Sequence, residues 1–438
     1  MSSVPQITPL LQQVLSTVAD QAATESRCVQ RTRCFSGARW VQTLVLGCWQ
    51  HPETTLTQLA QMAATLGAPV SPQAIAQRFT PATVDCLRQV LAQVVQHRIA
   101  AEPVALAVLS RFPEVAVLDS STIALPAALA EMWPGCGNGS GQTAAALKVG
   151  VRLDLRCGTL TGPLLETGRM HDRCGAITTQ PLRPGGLRIA DLGYWSVPEL
   201  AKLAADGDFW LSRLQGQTGV WLVDDPATTL DQLLATTAEA TLEVAVELST
   251  SERLAARLLA VRMPPQVAEE RRRRIRADAK RRGHTPRQVR LQRADWLLLV
   301  TNVPVERLSV DEAVVLLRAR WQIELLFKQW KQDGRIDVAR SANPYRMLAE
   351  VMAKLIGMVL QHWLVVLGCW HRPQRSYAKA AQVVRSFVVP IALALPNRRT
   401  LRGVLERLLS AIAHSGDQNP RQAHPNLGQL LLDLEKRA

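Results

Sequence analysis

Paired cysteines, a charged leader and an unbroken apolar span are all missing from this sequence, and each absence closes a class of function. The eight cysteines are scattered, with no Cys-x-x-Cys pair and no histidines at zinc spacing. That argues against a zinc module and leaves reduced, buried thiols in a cytosolic protein as the expectation. The first basic residue is Arg27, too late for the positive start of a secretory signal. The longest apolar run, residues 351–367, contains Lys354, Gln361 and His362, so a buried helix is expected there and not a membrane span. The glycine-rich stretch 135–141 lacks a following phosphate-loop lysine at the required spacing and reads as a flexible connector.

What is present is positive charge. The 438 residues hold 51 Lys and Arg against 37 Asp and Glu, a net +14 with a pI near 10.0. An excess of this size points to a polyanionic partner, nucleic acid before anionic membrane. Residues 269–293 carry eleven Lys and Arg against three acids, a net +8. Charge runs are commonly solvated segments; one that supplies over half of the net charge is better suited to neutralising phosphates. Hydrophobic content of 47% and charged content of 20% otherwise describe an ordinary globular chain, long enough for two to four structural units.

Taken in order, residues 1–105 read as helical. Within them, residues 55–79 divide at Gly67, and Ser71-Pro72 supplies a cap and a first helical residue for a second short helix. The pair fits either a helix-turn-helix offering Gln73, Gln77 and Arg78 to DNA or a plain helical hairpin. From residue 113 the texture changes to strands. Apolar runs end in acids at Asp119 and Asp191, residues 147–155 and 160–167 form a hairpin pattern, and a helix (198–205) and strand (209–214) follow. This is a mixed α/β sheet over residues 106–216. Residues 217–302 read as a β-rich insertion holding the basic segment, with strands at 219–223, 241–248 and 258–261. Residues 303–344 return to the core, and 345–438 form a helical C-terminal region broken at Pro390, Pro396 and Pro420.

Residues 310–333 contain neither Gly nor Pro and read as one helix. Leu317, Arg320, Glu324 and Lys331 fall at helical spacing on one face, while Leu316, Ile323, Leu326, Phe327 and Trp330 suit packing on the body of the protein. Alone, this face reads as a solvated salt-bridge stripe. Acids at the ends of buried strands are costly unless solvated, paired or bound to a cation. Asp119, Asp191 and Glu324 together would make an all-oxygen site suited to Mg²⁺ or Mn²⁺.

Three segments resemble bacterial insertion-sequence transposases of the DDE type, in the branch with a Tyr-(2)-Arg-(3)-Glu-(6)-Lys signature, the insertion sequence four family. They are Leu118-Asp119-Ser-Ser-Thr, Ile189-Ala-Asp191-Leu-Gly-Tyr-Trp-Ser, and Arg320-Trp-Gln-Ile-Glu324-Leu-Leu-Phe-Lys328-Gln-Trp-Lys331. The resemblance covers about residues 110 to 335. It implies a ribonuclease H-like catalytic core split by the β-rich insertion and flanked by helical N- and C-terminal regions, the latter a candidate for dimerisation. It also implies metal-dependent cleavage and strand transfer of element ends with two Mg²⁺ or Mn²⁺ ions. Double-stranded DNA, as terminal inverted repeats and target, and a second copy of the chain are the implied partners, in the bacterial cytoplasm. By resemblance, Asp119, Asp191 and Glu324 hold the metals, and Arg320, Lys328 and Lys331 contact phosphates. Trp296 matches an aromatic that stacks on a flipped base in relatives using a DNA hairpin; the alternative is a core aromatic. One departure is plain: the signature Tyr is Leu317 here. The alternatives to a working transposase are an inactive or repurposed DNA-binding derivative and a metal-dependent nuclease.

Overall fold

The computed structural model describes residues 3–30, 35–136, 145–338, 341–414, 417–418 and 427–437. Most of the glycine-rich connector and Pro420 lie outside the described residues. Among the described residues there are nine strands: β1 (Val115–Leu125), β2 (Ala145–Asp154), β3 (Leu160–Thr167), β4 (Leu187–Ile189), β5 (Phe209–Arg213), β6 (Val220–Leu222), β7 (Thr241–Leu248), β8 (Leu254–Arg262) and β9 (Trp296–Thr301). Their hydrogen-bonded order is β3-β2-β1-β4-β5-β9-β8-β7-β6. β2 and β3 pair antiparallel, β1, β4 and β5 run parallel, and β5 pairs antiparallel with β9. The strands of the basic insertion thus continue the core sheet through β9.

The chain divides into two compact units. The first comprises Met1–Ala105, Asp119–Thr179 and Gln322–Asp433. Its hub is the helix Pro344–Cys369, which packs against the helices Gly37–Gln50 and Pro81–Val94. Among the described residues this is the one helix long and apolar enough to cross a membrane, and it is buried within the protein. Its polar residues are satisfied internally. Lys354, 2% exposed, donates to the carbonyls of Arg335 and Val338. His362 bonds the Gly158 carbonyl at 2.8 Å and the Tyr377 hydroxyl at 2.7 Å. Because a carbonyl only accepts, Nε2 carries the proton and Nδ1 accepts from Tyr377. Gly158 turns the β2–β3 hairpin at φ +71°, with the Trp370 ring where a Cβ would sit, so no larger residue fits.

The second unit comprises Leu106–Leu118, Gln180–Trp321 and Leu434–Ala438. Its apolar core joins residues from before the insertion, such as Trp210, to residues within it, including Leu222, Leu234, Val246, Leu258 and Trp296. The basic segment forms the helix Pro265–Arg281 and a short helix, Gln288–Gln292.

Three expectations change. β1 does not end at Asp119 but runs on to Leu125, because Ser121, Ile123 and Leu125 are buried while Thr122 and Ala124 are exposed. That alternation makes it a half-buried strand despite its polar residues. The helix expected over residues 310–333 is two, Val310–Ala319 and Trp321–Gln332, interrupted at Arg320. The break expected at Pro390 falls earlier, at Phe387 between Tyr377–Ser386 and Val388–Ala394, which leaves Pro390 in the first turn of the second helix, where its missing N–H has no intrahelical partner to lose.

Candidate active site

The parallel pair β1–β4 is held in the register Val115↔Leu187, Ala116↔Arg188 and Val117↔Ile189. Asp119 and Asp191 each follow two residues after the last matched pair, Asp119 within β1 beyond its pairing with β4 and Asp191 just past the end of β4. Side chains two residues apart share a face, and the carboxyl ends of parallel strands are where open α/β sheets place ligands. Asp119 is half-buried, and the Ser120 amide donates to its Oδ1 at 2.8 Å. Asp191 is exposed and opens a short helical turn, Leu192–Tyr194, in which the Tyr194 amide donates to the Asp191 carbonyl at 2.9 Å. Tyr194 and Trp195, both buried, fix that turn to the second unit. Arg188 on β4 is buried, and burial lowers its pKa against the opposing pull of the Glu199 charge.

Glu324 stands on the helix Trp321–Gln332 and is half-buried. Ile323, Leu326, Phe327 and Trp330 on that helix, and Leu316 on the one before it, are all buried, as the spacing predicts. The helix is also tied at its far end. Arg385 donates to the Asp333 carbonyl at 2.7 Å, and Lys354 donates to the Arg335 and Val338 carbonyls beyond it. Arg320 and Lys331 are half-buried and Lys328 is exposed. Leu317 leaves the stripe: it is 7% exposed and belongs to the core. Trp321, next to Arg320, is 54% exposed. Asp119 and Glu324 fall in the first unit and Asp191 in the second. Among the described residues no three His, Cys, Asp or Glu side chains form a ready-made metal group. The donor set itself is oxygen only, which fits Mg²⁺ or Mn²⁺ and disfavours zinc.

The remaining nominated residues differ in availability. Gln77 is exposed and Arg78 half-buried at the end of the five-residue helix Pro72–Ala76, which Ser71 caps by accepting from the Ala74 amide at 3.2 Å. The Arg78 guanidinium lies 5.0 Å from the Phe35 ring centre and 6.0 Å from that of Trp40, so packing already employs it. Trp296, 5% exposed, sits in the core with Arg262 stacked 4.3 Å from its ring centre. In the basic segment, Arg271 turns inward to the Trp296 carbonyl, and Arg293 grips both Asp231 oxygens at 2.6 and 3.0 Å. Arg273, Lys280, Arg287 and Arg290 are exposed and carry no ion pair among the described residues.

Sequence reasoning missed a polar cluster beside Asp119. Lys148, buried on β2, donates to Asp172 Oδ1 at 2.9 Å and to the Met170 carbonyl, and the Ser120 hydroxyl donates to the same Asp172 oxygen at 2.6 Å. Burial raises the Asp172 pKa, but the two hydrogen bonds and the Lys148 charge outweigh it and hold the carboxyl below its usual range. The available signal was a lone lysine in the apolar run Ala145-Ala-Leu-Lys148-Val, since a buried cation requires a partner.

Known proteins similar to this chain are transposases. The family described as the transposase DDE domain matches residues 110–360. Over 98% of its length the chain is 25% identical to the transposase for insertion sequence element IS231F of Bacillus thuringiensis subsp. israelensis, covering 94% of that protein. It is 24% identical to the transposase for element IS231C of Bacillus thuringiensis subsp. berliner, over 94% of the chain and 91% of the relative. A shorter match, 28% identical over 40% of the chain and 50% of the relative, is to the putative transposase InsL for element IS186A of Escherichia coli K12.

Proposed function

Because the chain belongs to the transposase DDE domain family, we propose that Asp119, Asp191 and Glu324 hold the divalent metal ions with which it cuts and joins DNA. It is a DNA transposase of the insertion-sequence type, an enzyme acting on DNA. The observation that supports the site reading is the β1–β4 register, whose last pair, Val117↔Ile189, falls two residues before both Asp119 and Asp191. A β2–β3 hairpin followed by the parallel strands β1, β4 and β5 supports a ribonuclease H-like core.

DDE transposase domains use divalent metal ions, and the all-carboxylate donor set favours two Mg²⁺ or Mn²⁺ ions. When bound, such ions activate a water or 3′-hydroxyl and stabilise the leaving oxygen of phosphodiester attack. The chain's own residues supply the rest. Arg320, Lys328 and Lys331 neutralise phosphates near the reacting end, and the buried face of their helix keeps these charges in fixed positions. The exposed cations of Pro265–Arg281 bind the duplex backbone irrespective of sequence. Gln77, with Gln73, reads DNA from the N-terminal helical region, where Arg78 serves mainly by packing. Trp296 stacks on a base only if Arg262 leaves its ring. The substrates are element ends and target duplex, handled by a homodimer in the bacterial cytoplasm.

The test is strand transfer on an element-end duplex with Mg²⁺, comparing wild type with Asp119→Ala and Glu324→Ala. Joined products from wild type alone are expected. Bound but uncut ends from wild type would overturn the catalytic reading in favour of a DNA-binding derivative, and cleaved ends without joining would make the protein a nuclease.

A further inference from the structure

Resting on the metal role proposed for Asp119, we infer that Asp172 and Lys148 are positioning residues for that carboxylate and act through Ser120. The connection is continuous. Lys148 Nζ and the Ser120 hydroxyl both donate to Asp172 Oδ1, at 2.9 and 2.6 Å, while the Ser120 amide donates to Asp119 Oδ1 at 2.8 Å. Successive residues of a strand face opposite sides, so Ser120 is anchored on one face of β1 while Asp119 is presented on the other. Lys148 is itself held by the Met170 carbonyl, and Asp172 is held by the Thr178 hydroxyl, which donates to its backbone carbonyl at 2.8 Å.

An ion pair on a buried strand could be no more than a staple between β2 and the loop after β3. Its second donor argues for more, because that donor comes from the residue next to Asp119. A carboxylate that is to receive a cation must keep its orientation before the cation arrives. β4 ends at Ile189, so no β4 ladder fixes β1 at this point on that side. The Lys148–Asp172–Ser120 line supplies that restraint without contributing a ligand. Outer partners of this kind tune metal affinity by about 10–100-fold.

Mn²⁺ titration of the full-length protein, with free Mn²⁺ read by electron paramagnetic resonance, tests the inference. Asp172→Asn should raise the Mn²⁺ concentration for half-occupancy about tenfold and Ser120→Ala about threefold. Ser120→Thr, which keeps the hydroxyl, should bind as wild type, and the Tm of Ser120→Ala should stay within a few degrees. A purely structural staple would lower Tm and leave affinity alone, which would overturn the inference. So would wild-type affinity in Asp172→Asn and Ser120→Ala alongside lost binding in Asp119→Ala. Unchanged binding in Asp119→Ala would instead overturn the metal reading on which the inference rests.

Discussion

The helix that carries Glu324 and the helix that carries the densest positive charge meet their surroundings in opposite ways. Trp321–Gln332 buries Ile323, Leu326, Phe327, Gln329 and Trp330, and its end is held by Lys354 and Arg385. Pro265–Arg281 buries only Ala268 and Ala279. Apart from Arg271, which turns inward to the Trp296 carbonyl, its cations are exposed or engaged in pairs such as Arg274–Glu270 and Arg281–Asp278, and surface pairs are worth little in water. A few cations on a core-anchored helix can act at fixed positions. Many cations on a solvated helix can only raise affinity for a polyanion. Charge count and charge placement therefore do different work in this protein.

The sharpest way to break this contrast is to change each helix and follow rate and affinity separately. Glu324→Ala should lower strand transfer by about 10³-fold or more, since a metal ligand carries several kcal/mol of transition-state stabilisation. Gel shifts on the same duplex should be nearly unchanged. Arg320→Ala should come next, costing about 10²-fold in rate through misplacement of the reacting phosphate. Replacing Arg273, Lys280, Arg287 and Arg290 together should do the reverse. The slope of log K against log salt should shrink by about one unit per residue, with the rate of bound complexes retained. If Arg320→Ala alters affinity and not rate, the contrast is wrong.

The rigidity of the Glu324 helix also has an acid limit. Burial pushes His362 down to about 4, while the unfolded chain takes up this proton near pH 6.5. Its contribution, about 3 kcal/mol, is complete above pH 6.5 and is lost as pH falls toward 4. Tm measured across this window should fall with acidification in wild type and more gently in His362→Gln. The smallest expected effect is at Leu317. Leu317→Tyr should gain up to about tenfold in rate if its hydroxyl reaches a charged group, against an overpacking cost of about 1–3 kcal/mol read from Tm.

Much of this was legible in the residues. The hairpin at 160–167, the strands at 209 and 241, and the inward face of the Glu324 helix follow from periodicity alone, because apolar spacing reports burial directly. The pairing of β1 with β4, Val115↔Leu187 to Val117↔Ile189, is a long-range match that no local pattern specifies. The Lys148–Asp172–Ser120 line joins residues 24 to 52 positions apart, so it was invisible except as an unexplained lysine in an apolar strand. Arg78 looked like a DNA contact from its place in a possible helix-turn-helix, and Trp296 from the resemblance and an aromatic ring's capacity to stack, while the Phe35, Trp40 and Arg262 partners that occupy them come from tertiary packing.

The most direct test of the central claim exchanges a hard ligand for a soft one. Asp119→Cys, Asp191→Cys and Glu324→Cys should each be inactive in strand transfer with Mg²⁺ and regain part of their activity with Mn²⁺, which accepts a thiolate more readily. Wild-type activity of any of the three variants in Mg²⁺ would contradict its assignment as a metal ligand.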